Sequence, residues 1–169
     1  PAVRSADGEL TRTTVGLSGV DFLLDVFDEV GISTTFFIVS EIARDHPALV
    51  SRIVDGGHEI ASHTHTHHLL SDVVPESRRS EYEHSRELLE EVSGTEIHGF
   101  RAPAFDIPEN HFDHLKECGY SYDSSIVSAR RIPGWYGGEY DIHTPCLSSE
   151  FTAKGNDSIT EVPVSVMPY

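Results

Sequence analysis

Lysine is nearly absent from this sequence. Of 169 residues only Lys116 and Lys154 carry an ammonium, and the other ten cations are Arg. Twelve Lys and Arg face 28 Asp and Glu, so the formal charge is −16, and protonating all 11 His leaves the chain still acidic. A basic face for phosphate is therefore missing, which excludes duplex or single-stranded nucleic acid as a partner. Many carboxylates with so few lysines fit a protein that works in high salt, where counterions screen self-repulsion. An ordinary acidic protein fits the same composition.

Cysteine is scarce too. Cys118 and Cys146 are too few for a disulfide framework, so they are either free or joined in one optional bridge. Cys118 falls in a predicted helix and reads as a core thiol. No apolar run reaches the roughly 18 residues a membrane helix needs. No signal-peptide pattern is present, and the chain begins at Pro1 without an initiator Met, so it is expected to be processed or cut from something longer. Gly-x-Gly-x-x-Gly and Walker motifs are lacking, which removes support for nucleotide use. Gly-x-Ser-x-Gly is lacking as well, which removes a serine-hydrolase elbow. There is no internal repeat and no low-complexity segment. The length suits a single domain over 1–169, large enough to bury a core without disulfides.

What remains is an alternation of helical and strand patterns. Val20, Leu23, Leu24, Phe27 and Val30 recur at helical spacing, which predicts a helix over 19–30 with Gly31 as its stop. Residues 1–18 read as a loop. Strands are expected over 32–39, 59–62, 97–101, 120–123 and 161–166, from their β-branched and aromatic content between turn residues. Ser40 is expected to cap a short helix. Pro47 and Pro75 open helices at their first turn, Gly94 ends the second, and Asn110 caps one reaching Cys118. Residues 124–160 have little periodicity. Short gaps between alternating strands and helices predict an α/β fold with a largely parallel sheet. Ligand sites in such folds lie at the C-terminal ends of strands. His63, Arg101 and Asp123 all fall at that edge, the first hint that they share a site.

The densest chemical feature is His63-Thr64-His65-Thr66-His67-His68, four imidazoles in six residues. Neutral imidazole is a good Zn ligand, and two of them four apart can reach one ion from a helix turn or a tight loop. A solvated His-rich loop fits the same count. The strand before it pins the first His, so the second needs only one turn to come round. Arg101 stands beside Ala102-Pro103, where a stiff turn can hold a guanidinium in a bidentate pose toward a carboxylate. Taken alone it reads equally as a structural Arg. Asp123 alone reads as a turn residue bonding its own backbone. Trp135, Tyr136 and Tyr140 sit among glycines, as a stacking platform for sugar rings or as packing under a long loop. His58 reads as packed or partly exposed rather than as a ligand, and Glu81 and Glu83, with Glu90 and Glu91, read as a solvated helix face.

In order and spacing these pieces resemble the polysaccharide deacetylases, the NodB-homology group of carbohydrate esterase family four. Thr34-Thr35-Phe36-Phe37 is similar to that family's Ala-Thr-Phe-Phe strand. The segment from Gly57 through His67 resembles its metal motif, Gly-His-Glu-Ile-(Ala/Gly)-x-His-(Ser/Thr)-x-x-His. Arg101-Ala102-Pro103 resembles its Arg-x-Pro motif. Gly119-Tyr120-Ser121-Tyr122-Asp123-Ser124-Ser125 and Glu161-Val162-Pro163-Val164-Ser165 resemble segments of one branch. The matches span about 20–166.

The resemblance implies a distorted (β/α) barrel and a divalent metal, commonly Zn, with His63 and His67 as two ligands. His65 and His68 match no ligand position. It implies hydrolysis of N-acetyl groups on a sugar polymer. Arg101 would orient an Asp base, a backbone N–H near Ala104 would meet the oxyanion, and Asp123 would tune a catalytic His. Apart from the resemblance, the stacking reading makes Trp135 a candidate to touch the sugar.

Two of the family's motifs have no counterpart here. The first, an Asp pair after an initial strand, supplies the base and the third ligand. Only Asp7 could stand in, so the first strand is expected upstream of Pro1. The Leu-x-His motif is expected downstream of Tyr169, because His143 lacks its context. This exact span would then be inactive by itself. A non-catalytic carbohydrate- or metal-binding remnant and a small-amide hydrolase are the competing readings. Location stays open between the cell exterior and the cytoplasm, and oligomeric state is not set by the sequence.

Overall fold

The computed structural model describes residues 3–4, 10–11, 14–128, 140–153, 155 and 157–164. Its strands are β1 (Val3–Arg4), β2 (Leu10–Thr11), β3 (Thr35–Ile38), β4 (Glu59–Ser62), β5 (Gly99–Phe100), β6 (Tyr122–Asp123), β7 (Cys146–Leu147) and β8 (Thr160–Glu161). Its helices are α1 (Thr14–Val30), α2 (Ser40–Asp45), α3 (Pro47–Asp55), α4 (Pro75–Ser93), α5 (His111–Glu117) and α6 (Ser148–Phe151). A 3-10 turn covers Pro103–Phe105.

The large sheet runs β3-β4-β5-β6-β8-β7. Every pair is parallel except β7 against β8. The expected α/β class with a largely parallel sheet is what the structure has. Among the described residues the sheet is open between β3 and β7.

Three expectations need correction. Residues 1–18 are not one loop, since β1 and β2 pair antiparallel and α1 already begins at Thr14. Thr14, Val15 and Gly16 have poor intrinsic helix propensity, so the apolar period becomes visible only at Val20. Ser40 is not a cap but the first residue of α2, and its hydroxyl bonds His65 Nδ1 at 2.8 Å instead. The irregular stretch 124–160 holds β7 and α6, both too short to leave a period. The prolines behave as expected, with Pro47 and Pro75 in the first turns of α3 and α4, and Gly94 closes α4 at φ +68°.

The core lies between α4, α5 and one face of the sheet. Tyr82 of α4 stacks on Phe100 of β5 at 4.8 Å, and Leu89, Ile97, Phe112 and Leu115 complete the layer, all buried. Cys118 is buried beside them, and both cysteines are free.

Polar groups thread this core. Tyr82 O–H meets His111 Nδ1 at 2.9 Å, and His111 Nε2 meets Asp123 Oδ2 at 3.0 Å. A carboxylate only accepts, so Nε2 carries the proton and Tyr82 donates to Nδ1. Burial pushes the Asp123 carboxyl up, but His111 and the surrounding donors outweigh it and hold Asp123 low.

Glu161 is also fully buried. Its Oε1 accepts the Ile126 N–H at 3.0 Å, and its carboxyl group also faces the Asp123 carboxylate. Burial, then the neighbouring Asp123 charge, pushes Glu161 from an ordinary 4.5 to about 11. The folded state thus keeps a proton that the unfolded chain releases above pH 4.5. Its contribution is full below 4.5 and is lost as pH rises toward 11. Glu161→Gln, which cannot ionise, is therefore expected to raise stability at pH 8 by about 1–3 kcal/mol and to match wild type near pH 4. Urea unfolding at both pH values checks this. A variant no more stable than wild type at pH 8 refutes it.

Candidate functional site

Strand register decides which side chains meet. Ser62 pairs with Phe100, Phe100 with Asp123, and Asp123 with Glu161. Successive residues of a strand point to opposite faces. Ser62, Phe100, Asp123 and Glu161 therefore share the helix-covered face. Ser62 bonds Ser85 of α4 at 2.7 Å, and Asp123 bonds His111 of α5. One residue further on, His63 and Arg101 turn to the opposite face. Sequence reasoning placed Asp123 beside them, and the structure does not. Asp123 lies under the helices.

On the open face is a cavity of about 450 Å³, lined by Thr34, Thr35, Phe37, Glu59, Arg101, Tyr122, Ser124 and Val162. Arg101 donates from Nε to the Ser124 carbonyl at 2.8 Å and from Nη2 to Ser124 Oγ at 2.5 Å. Its guanidinium carbon sits 4.1 Å over the Phe37 ring. A guanidinium has five N–H donors, so others remain on the cavity side. Glu59 Oε2 accepts from Thr35 Oγ1 at 2.5 Å and from Tyr122 O–H at 2.9 Å.

Tyr122 lies against Gly99, where any Cβ would overlap its ring. Gly99→Ala is expected to push the phenol off Glu59 and to cost about 1–3 kcal/mol of stability. Thermal unfolding checks it. An unchanged midpoint would mean that the ring is free to move.

His63 and His67 come together at the end of β4, with ring centroids 5.0 Å apart at 62°. They do so on a tight loop, not a helix. Thr64 and His67 both have φ near +66°, a region bulky residues rarely enter, so the surrounding structure must hold it. Buried Thr64 accepts the His67 N–H at 3.1 Å. His63 Nδ1 donates to the Arg101 carbonyl at 2.5 Å. A carbonyl only accepts, so Nδ1 carries the proton and the Nε2 lone pair is free. This is the arrangement a metal-binding imidazole uses.

Burial drops His63 to about 4, and partial desolvation lowers the more exposed His67, so both shift toward the neutral imidazole that a metal needs. As a donor set the pair fits two positions of a Zn-type site. Among the described residues no group of three or more His, Cys, Asp or Glu is placed to hold a metal.

Ala104, the expected oxyanion donor, is exposed on the turn after Arg101, with φ +51° and Phe105 following at φ +59°. Two consecutive positive φ values swing the chain sharply over the strand ends. That turn is pinned twice. Ala102 N–H donates to Ser125 Oγ at 2.9 Å, and Ser125 donates to Asp123 Oδ1 at 2.6 Å. Asp106 accepts from the N–H and Oγ of Ser71 at 2.7 and 2.9 Å.

His65 bonds Ser40, and exposed His68 bonds Thr66 Oγ1 at 2.6 Å. His143 is exposed in a loop and bonds Asp141. His58 packs against Phe27 and Phe36, as expected. Trp135 and Asp7 lie outside the described residues.

Glu81 overturns an expectation. It is not on a solvated face but buried, at 8% exposure. Its carboxylate faces the loop between the two histidines. A signal for it existed: Glu81, Ser85 and Leu89 stand four apart on the buried stripe of α4. Glu59, Tyr122, Ser125 and His111 were also missed, because their partners come from distant segments.

Comparison with known proteins agrees with the motif order. A peptidoglycan deacetylase-like protein of Gibberella zeae is 33% identical over 113 residues, 66% of this chain and 33% of that protein. A peptidoglycan-N-acetylglucosamine deacetylase of Bacillus cereus is 32% identical over 98 residues, 58% of this chain and 36% of that protein. The chain thus aligns with about a third of the length of these relatives. A solved Mycobacterium smegmatis structure, assigned to the polysaccharide deacetylases, superposes with a TM-score of 0.71 at 32% identity. It covers 87% of this chain and 46% of that one. The family model for polysaccharide deacetylase matches residues 17–122, more than half of the sequence, and on that match the chain belongs to the polysaccharide deacetylase family.

Proposed function

We propose that the protein carrying this chain is a metal-dependent hydrolase that removes N-acetyl groups from a sugar polymer. The observation that carries the reading is the His63–His67 pair, with His63 Nδ1 tied to the Arg101 carbonyl and its Nε2 free. Family membership and the names of the two relatives support an N-acetylated polysaccharide as substrate. The charge of −16 favours a neutral polymer over a strongly anionic one.

His63 Nε2 and His67 would hold a divalent ion, Zn above all. When bound, such an ion polarises a carbonyl and lowers the pKa of water toward neutral. The chain's own residues do the rest. The Arg101 carbonyl fixes the His63 ring. Arg101's remaining N–H groups face the cavity and would orient a carboxylate base, or hold the acetate released. The turn at Ala104 would present a backbone N–H to the developing oxyanion. Addition of a water oxygen to the amide carbon, with its proton passing to the carboxylate base, and breakage of the C–N bond, with that proton passing to nitrogen, would leave acetate and a sugar amine. Asp123 supports this from behind, holding Ala102 through Ser125.

Two measurements test the reading on the full-length protein. Metal analysis is expected to find one Zn-class ion per chain. Acetate release is expected from N-acetylglucosamine oligomers and not from small cyclic or linear amides. A metal-loaded protein that releases no acetate, or that prefers the small amides, would overturn it.

A further inference from the structure

The loop between His63 and His67 has no regular structure of its own, yet its peptide groups are satisfied from two sides. Its carbonyls point at α2, where the N–H groups of Ser40 and Glu41 donate to Thr64 and His65 at 3.1 and 3.3 Å. Its N–H groups point the other way. Those of His65 and Thr66 both donate to Glu81 Oε2, at 3.1 and 3.0 Å, and Thr66 Oγ1 donates to Glu81 Oε1 at 2.9 Å. Glu81 belongs to α4, packed along β4, so one carboxylate ties the loop to the rigid core.

We infer that Glu81 is a positioning residue that sets the His63–His67 geometry and thereby the affinity for a divalent metal. The inference rests on the reading that both imidazoles bind one ion. Its reason is steric as well as electrostatic. Thr64 and His67 sit at positive φ, and such backbone persists only when neighbours over-determine it. Without Glu81, two N–H groups lose their acceptor and the loop relaxes toward commoner angles. His63 stays fixed by the Arg101 carbonyl, so His67 is the ring that moves.

Glu81→Ala removes all three bonds. Glu81→Gln keeps the shape and one acceptor oxygen, but its amide N–H groups oppose the donors of the loop. Glu83→Gln, on an exposed side chain of the same helix, is the control. Zn affinity is read by competition with a chromophoric chelator, the coordination geometry by the visible spectrum of the Co(II) form, and folding by thermal melting.

Glu81→Ala is expected to weaken Zn binding about 10–100-fold and to change the Co(II) bands, as loss of supporting contacts behind a metal site does. Glu81→Gln is expected to fall between it and wild type, and Glu83→Gln to match wild type. Should Glu81→Ala fail to fold, Glu81→Gln decides alone, since the isostere fills the same space. A folded Glu81 variant with wild-type affinity and spectrum overturns the inference. A full-length wild-type protein that binds no Zn overturns the metal reading itself, whereas Zn bound equally by wild type and the Glu81 variants overturns only the positioning role.

Discussion

His63→Ala is expected to weaken Zn binding by a hundredfold or more and to take acetate release to background. Two features of the fold single out this residue. The ring is half-buried at the end of β4, and its Nδ1 proton is held by the Arg101 carbonyl. Nothing else in the loop can reproduce an Nε2 lone pair at that place. His65 is turned to Ser40, and His68 to Thr66. Loss of supporting contacts alone costs about 10–100-fold in metal affinity, so loss of a ligand sits at or beyond that range. Activation of water by a metal and a general base accounts for several powers of ten in rate. His65→Ala and His68→Ala are expected to leave both quantities within about threefold of wild type. Metal analysis of the purified variants decides the matter. Full Zn content in His63→Ala would remove this residue as a ligand.

Asp123→Ala is expected to act on stability first. The side chain is fully buried, and it bonds His111 and Ser125. Removing it strands an imidazole N–H and a hydroxyl in the core. Each buried donor left without its acceptor costs about 1–3 kcal/mol, more where the acceptor was charged, set against a typical domain stability of about 5–15 kcal/mol. The urea midpoint should fall sharply. Activity should fall with it, because Ser125 no longer holds Ala102 and the Arg101 turn loosens. Asp123→Ser, too short to span both partners, should behave alike. A variant that unfolds at the wild-type midpoint yet releases no acetate would assign Asp123 to the chemistry instead.

The contrast between these two residues shows what one-dimensional reading could reach. His63, Arg101 and Asp123 all end predicted strands. For His63 and Arg101 that position placed them on the open face. For Asp123 it did not, because the pairing of Phe100 with Asp123 puts Asp123 in phase with the core residues. A strand pattern locates an edge to within a residue or two, while a face is decided by a single residue. Glu81 failed for another reason. A carboxylate on a polar helix looks solvated until the loop that supplies its donors is in place.

The sequence by itself determined the α/β alternation, the proline-opened and glycine-closed helices, the family, and the histidine pair as a candidate metal site. These rest on local spacing and on motifs of a few residues, which need no knowledge of distant partners. The tertiary structure decided the rest: that Asp123 and Glu161 lie in the core with His111, that Arg101 faces the cavity with Glu59 and Tyr122, and that Glu81 holds the loop between His63 and His67. Each depends on contacts between segments at least ten residues apart, through strand register and helix packing. Those contacts set the polarity and charge around a group, and so decide whether the same residue type is solvated, structural or poised to bind.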